Sequence, residues 1–236
     1  MILLNYYMHM TKKQGIFGLL GGRVQCHSGI YNPTSDAVWL AAFATSDAKT
    51  MLDVGTGTGA VALCYATRNP NTQITAIDTS VDMLDAARAN AELNHRDIEF
   101  INADILNWKT DRTFDLVVSN PPYFHGTPAT HNAHHNADLH AWTRACLRRV
   151  RPRGHLVMIS DATTIDTIIA AMKPTCGDIN IFPLFGAKHT AERVLISGRV
   201  GTRGGATLHM GLSMNNDAVL RDGLTIADTL SKLGQK

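Results

Sequence analysis

A chain of 236 residues, 44% apolar and 18% charged, can bury the core of an ordinary globular domain without disulfide or metal staples. A net charge of +2 is too small to mark a nucleic-acid binder by itself, and every apolar run is interrupted well before membrane-spanning length. The four cysteines, Cys26, Cys64, Cys146 and Cys176, form no Cys-x-x-Cys pair, which argues against a zinc ribbon, a redox motif or a disulfide framework and for buried free thiols.

Met1 to Met10 carry neither a basic head nor a small-residue cleavage site, so a cytoplasmic protein with no membrane partner is expected. Residues 1–20 are expected to form a flexible tail ahead of a single domain over 21–236, and the glycine-rich stretch up to residue 33 shows no readable period. Thr34 to Ala44 reads as a helix leading into a strand at Thr50 to Val54. Strands at Gln73–Ile77, Ile98–Ile101, Phe114–Ser119 and His155–Ser160 then alternate with helices at Ala60–Arg68, Val81–Asn94, Leu139–Val150 and Thr163–Met172. That alternation implies an α/β fold with a parallel sheet and helices on both faces. Ser80 is placed to cap the helix whose Met83, Leu84, Ala87 and Ala91 share one face. Beyond Pro174 the pattern changes. Ile179–Phe182 and Arg193–Ser197 read as an antiparallel hairpin around the polar loop 183–192, making the sheet mixed. Gly198–Gly205 reads as a loop, Thr207–Met210 as a strand and Leu224–Leu233 as a terminal helix.

The run Asp53-Val54-Gly55-Thr56-Gly57-Thr58-Gly59 follows a strand and opens a helix, where absent side chains let backbone amides approach a ligand. Gly55, Gly57 and Ala60 also fit a dinucleotide fingerprint, and Asp78 at the next strand end suits ribose hydroxyls in either case. Asp53 and Asp104 separate the two readings: a third acid at successive strand ends favours a cationic, amine-bearing nucleoside and repels a pyrophosphate.

Asn120-Pro121-Pro122-Tyr123 ends the strand Phe114–Ser119. An exocyclic amine on an aromatic base is a poor nucleophile, because its lone pair is delocalised into the ring. The Asn120 side-chain oxygen and the Pro121 carbonyl can accept its two hydrogens, while Tyr123 offers a stacking face. Each proline holds the residue before it extended, which fixes Asn120 at the carboxyl end of the strand, where open α/β sheets bind ligands.

With these motifs the chain resembles the class I, Rossmann-like S-adenosylmethionine-dependent methyltransferases. More narrowly it is similar to the bacterial tRNA1(Val) adenine-37 N6-methyltransferase family, through Gly21-Gly22-Arg23-Val24, Thr34-Ser35-Asp36-Ala37-Val38, the glycine run, Asn120-Pro121-Pro122-Tyr123 and Glu192-Arg193-Val194-Leu195. The resemblance implies a mostly parallel, seven-stranded sheet with an antiparallel edge hairpin. It implies S-adenosylmethionine bound by Asp53, Gly55, Thr56, Gly57, Gly59, Asp78, Asp104, Ile105 and Asn120, with Thr34 to Asp36 near its methionine end. Asn120, Pro121, Pro122 and Tyr123 are the expected catalytic residues.

His125, His131, His134, His135 and His140 match no zinc signature, so no metal is expected; a mobile loop that orders over RNA, or a plain solvent-exposed loop, fits them better. Trp39, Trp108 and Trp142 read as core residues. The basic run Arg144, Arg148, Arg149, Arg151 and Arg153 ends a helix on the face opposite the strand carboxyl ends, so Lys188, His189 and Arg193, with Lys12, Lys13 and Arg23, are the preferred RNA contacts.

The leading expectation is N6-methylation of adenine in a tRNA anticodon loop, with tRNA or another structured RNA as partner. A protein glutamine methyltransferase is the first rival. Those enzymes resemble this chain in both motifs but carry a helical substrate domain upstream, for which the 52 residues before Asp53 look short. Ribosomal RNA guanine N2, DNA adenine and a non-catalytic RNA- or nucleotide-binding module are further alternatives.

Overall fold

Strand β6 (Phe114–Ser119) shows why the sheet forms, since all six of its residues are buried. Leu116 and Val118 belong to one core, Phe114 and Val117 to another, so the strand is covered on both faces, as parallel sheets require. Full burial of each such aliphatic side chain contributes about 1.5–3 kcal/mol, far more than local strand propensity. The computed structural model describes residues 15–29, 32–121, 132–187 and 189–232, the stretch 132–138 by its backbone alone.

In chain order the described elements are β1 (Ile16–Leu19), β2 (Val24–His27), α1 (Ser35–Phe43), β3 (Thr50–Val54), α2 (Ala60–Arg68), β4 (Gln73–Asp78), α3 (Val81–Leu93), β5 (Glu99–Asn102) and β6. There follow α4 (Asn132–Leu147), β7 (Val150–Asp161), α5 (Ile165–Met172), β8 (Cys176–Phe185), β9 (Ala191–Val200), β10 (Ala206–Leu208), β11 (Leu212–Ser213), α6 (Asp217–Leu220) and α7 (Ile226–Lys232). Sheet order is β10-β8-β9-β7-β6-β3-β4-β5, with β11 also on β8; β9 alone runs against its neighbours. The α/β sheet with its antiparallel hairpin is as the sequence implied. Two short strands, β10 and β11, extend the expected seven and cover the edge that β8 would otherwise expose.

From β3 the chain steps outward through β4 to β5 and then returns to the other side of β3 as β6. That reversal opens a crevice at the carboxyl ends of β3 and β6, the place where such sheets bind ligands.

Several boundaries differ from the sequence reading. Ile16–Leu19 pairs with Val24–His27, so the tail boundary at residue 20 cuts through a hairpin; residues 1–14 lie outside the described residues. Asn90 in the last turns of α3 and Asn94 at its C-cap hold that hairpin: Asn90 Oδ1 accepts from the His27 amide at 2.8 Å and Asn94 Oδ1 from the Gln25 amide at 2.8 Å. Both hairpin strands at the far side run ten residues each and absorb Pro183 and Gly198. Pro183 sits where neither β10 nor β11 pairs with β8, so its missing N–H costs no ladder bond there. Gly198 is a packing requirement, since a Cβ would stand 2.6 Å from the Met172 methyl and 3.2 Å from the Cys176 Cβ. Helix α4 begins at Asn132, so His134, His135 and His140 belong to a helix rather than a loop; His125 and His131 lie outside the described residues. Ser80 caps α3 as expected, accepting from the Met83 amide at 3.3 Å. All four cysteines are buried and free, and burial pushes the Cys26 thiol up to about 11 and that of Cys64 to about 12.

Candidate active site

The glycine run closes on itself. The amides of Gly55 and Thr56 both donate to the Ile77 carbonyl, at 2.9 and 3.0 Å, and the Gly59 amide donates to the Thr56 carbonyl at 2.9 Å. The Gly57 amide donates to Asp78 Oδ2 at 2.8 Å. These four amides are therefore occupied within the protein, contrary to the expectation that they face a ligand. What the glycines supply is shape: φ values of 71°, 54° and 83° at Gly55, Gly57 and Gly59 lie in the left-handed region that side chains disfavour. At Gly59 a Cβ would also press on the Ala87 Cβ at 3.3 Å.

The three aspartates take different places. Asp53 is buried beneath the loop, where its Oδ2 accepts from the Thr56 hydroxyl at 2.7 Å. Burial raises its carboxyl from 3.8 to about 7, the nearby Asp78 charge adding to the shift and the Thr56 and Ala62 donors opposing it. Asp78 reaches the crevice and ties its two walls together, with Oδ1 accepting from the Ser80 amide at 2.9 Å and Oδ2 from Gly57. Asp104 folds back on its own turn, accepting from the Leu106 amide at 2.9 Å and the Asn107 side chain at 2.7 Å, while its neighbours Ala103 and Ile105 line the crevice.

The crevice is a cavity of about 460 Å³, walled by Thr34, the glycine loop, Ile77, Asp78, Ile105, Asn120 and Pro121. Asn120 and Pro121 thus open onto the same space as the glycine run; Pro122 and Tyr123 lie outside the described residues. Sequence reasoning missed Trp142, which belongs to the wall rather than to the core alone. Ser119 positions it: the Trp142 indole N–H donates to Ser119 Oγ at 3.0 Å, and Ser119 donates to the Val54 carbonyl at 2.9 Å. The ring lies over Gly55, so that a Cβ there would meet it at 3.4 Å. Thr58 was also missed. Its buried hydroxyl, in the cavity wall, has no partner among the described residues, and Asn90 Nδ2 donates to its carbonyl at 2.9 Å. An asparagine in the last turns of a helix offers no sequence signal for such a bridge.

Around the rim, Asp36 and Arg193 were expected in separate roles but meet each other, Nε to Oδ2 at 3.2 Å. His189 is exposed beside the turn between β8 and β9, on the cavity side because β8 runs parallel to β6 and β7; Lys188 lies outside the described residues. Arg23 donates to the Arg221 carbonyl at 3.0 Å. Lys12 and Lys13 are outside the described residues. The basic run lies at the other edge: Arg149 donates to the Thr110 carbonyl, and Arg151 pairs with Asp115 near the start of β6.

A doubly wound sheet with this strand order, a glycine loop over β3 and an Asn-Pro pair at the end of β6 defines a Rossmann-like methyltransferase. Residues 26–176 match the family model described as methyltransferase small domain, and the chain belongs to that family. It is 42% identical over 114 residues to the tRNA1(Val) (adenine(37)-N6)-methyltransferase of Flavobacteriaceae bacterium strain 3519-10, covering 47% of this chain and 49% of that one. It is 46% identical over 77 residues to the release factor glutamine methyltransferase of Lactococcus lactis, covering 33% and 28%. The matches therefore span about half or less of these relatives. Among solved structures, a protein described as a predicted O-methyltransferase from Agrobacterium tumefaciens aligns with a TM-score of 0.64 at 25% identity, over 85% of this chain and 96% of that one. The T. thermophilus 16S rRNA N2 methyltransferase, in complex with AdoMet and guanosine, shares the fold with a TM-score of 0.59 at 18% identity, over 80% and 50%. That last structure holds AdoMet within the shared fold. The cavity of this chain suits that cofactor: the orphaned Thr58 hydroxyl and the Asp78 carboxylate offer polar partners among the apolar walls of Ile77, Ala103 and Ile105. No described helix is long and apolar enough to cross a membrane.

Proposed function

We propose that this chain methylates the exocyclic N6 amine of an adenine in a tRNA anticodon loop, at a position equivalent to 37. The observation that carries the reading is that Asn120 and Pro121 line the same cavity as Asp78 and the glycine loop, so amine acceptors and cofactor wall share one space. When bound, the cofactor supplies an electrophilic methyl on a sulfonium. Asp78 would accept from its ribose hydroxyls, Ile105 would pack on its base, and Thr34 would border its methionine end.

Asn120 Oδ1 and the Pro121 carbonyl accept the two amine hydrogens and favour the pyramidal nitrogen, freeing its lone pair for attack. No strong base is needed, because the nitrogen becomes acidic only as its new bond forms; catalysis is mainly orientation. Tyr123 is proposed to stack the extracted base, and Lys188 with His189 to meet phosphates at the turn between β8 and β9. Adenine is favoured over glutamine because identity is higher over a comparable length, 42% over 114 residues to the tRNA enzyme against 35% over 120 residues to the release factor glutamine methyltransferase of Rhodopirellula baltica.

The test is transfer from methyl-labelled cofactor into unmodified tRNA, with digestion and mass spectrometry of the nucleosides. N6-methyladenosine is the expected product. Label in a release-factor glutamine or in guanine would reassign the substrate.

A further inference from the structure

The first turn of α1 forms part of the cofactor wall, through Pro33, Thr34 and Ala37. Asp36, between them, turns its carboxylate away into the protein, where its side chain is only 4% exposed. Arg193 reaches it from β9, 157 residues later, with Nε donating to Asp36 Oδ2 at 3.2 Å. The same guanidinium stands 3.5 Å from Asp161 Oδ2, and Asp161 is both the last residue of β7 and the direct cross-strand partner of Arg193. A third contact, NH1 to the Glu192 carbonyl at 3.1 Å, fixes the fork against its own strand. Strand β7 in turn pairs with β6, whose end carries Asn120.

One planar group thus joins the cofactor wall to the strand ends beside the amine acceptors. A guanidinium suits this, since its fixed fork can serve two carboxylates where an ammonium offers a point charge. Arginine flanked by two carboxylates is also a poor phosphate ligand, because their charge opposes a third anion.

We propose that Arg193 is a positioning residue, a clasp that holds the first turn of α1 against the end of β7 and so keeps the cofactor wall in register with Asn120. The proposal rests on the cofactor occupying this cavity, and not on RNA being the substrate. Its loss loosens the wall and weakens cofactor binding with no RNA present.

Calorimetric titration of S-adenosylmethionine into the full chain and its variants tests this. Arg193→Met is expected to raise the cofactor Kd by about 2- to 30-fold, the range seen for coupling through packed networks. Arg193→Lys should recover part of the loss, keeping the charge without the fork. In Asp36→Asn/Arg193→Met the two effects should not add, because the clasp is already open once either partner is gone. The double variant also removes the buried charge that Arg193 faces, so it reports even if Arg193→Met fails to fold. Cofactor affinity within twofold of the parent chain in Arg193→Met and the double variant, with only a lowered Tm, would overturn the proposal. So would unchanged cofactor affinity with a raised KM for tRNA and a flatter salt dependence, the signature of a phosphate contact.

Discussion

The two halves of the sheet are held in different ways. On the cofactor side the ties are short in sequence: Thr56 to Asp53, Gly57 to Asp78, and the loop amides to Ile77. Across the other half and its helical cover they are long, with Arg193 on Asp36, the Trp39 indole on the Met214 carbonyl at 3.2 Å, and Arg68 on the Gly223 carbonyl at 3.1 Å. The first half is assembled from segments close together in the chain. The second depends on late segments of the chain closing over early ones, so damage there spreads to the whole cavity.

The sharpest way to separate the two halves is at Asn120. Asn120→Ala is expected to lower turnover by about 10²- to 10³-fold or more, the scale set by removal of one preorganised hydrogen-bonding group. Cofactor affinity should stay nearly unchanged, because the interaction strengthens only as the amine pyramidalises. Single-turnover assays beside calorimetry check both arms, and a matching fall in cofactor affinity would place Asn120 in the cofactor half instead.

Asp78→Ala works in the opposite direction. It removes both the proposed ribose acceptor and the partner of the Gly57 amide, so cofactor binding is expected to weaken by about 1.5–3 kcal/mol. Calorimetry with unchanged affinity would exclude Asp78 as a ligand. Asn90→Ala tests whether the N-terminal hairpin feeds into the cofactor half. It strips the partners from the His27 amide and the Thr58 carbonyl, and a stability loss of about 1–3 kcal/mol is expected in urea unfolding. Faster amide exchange should appear in both the hairpin and the glycine loop; exchange confined to the hairpin would show that the two are not coupled.

The last prediction is the pH dependence that Asp53 contributes. Its folded-state carboxyl, raised to about 7, binds a proton that the unfolded chain releases near 3.8, so its favourable contribution is complete below about pH 4. That contribution disappears as pH rises to about 7 and stays flat beyond. Asp53→Asn removes the dependence, so the stability of the variant relative to the parent chain should grow across this window. Parallel unfolding profiles from pH 4.5 to 7.5 would mean that Asp53 is ionised throughout.

Much of the fold was legible because its signals are periodic and local. The apolar runs of β3, β4 and β6 fell where the structure has them, and Ser80 marked the start of α3 by the oxygen it offers to the Met83 amide. The hairpin of β1 and β2 was invisible because it is short, glycine-rich and stabilised from outside by Asn90 and Asn94. Pro183 and Gly198 read as strand breakers, and became strand residues through a gap between neighbours and the bulk of Met172.

By itself the sequence determined the parallel sheet, the glycine turn and the strand end bearing Asn120, since each follows from hydrophobic period, backbone freedom at glycine or restriction before proline. Only the tertiary structure decided who meets whom. It turned the loop amides inward to Ile77 and Asp78, set Trp142 over Gly55, and paired Asp36 with Arg193. The physical reason is that a motif specifies the conformation of a few adjacent residues. The partner of a buried polar group is set by whichever distant segment the packing of the core brings within 3 Å or so.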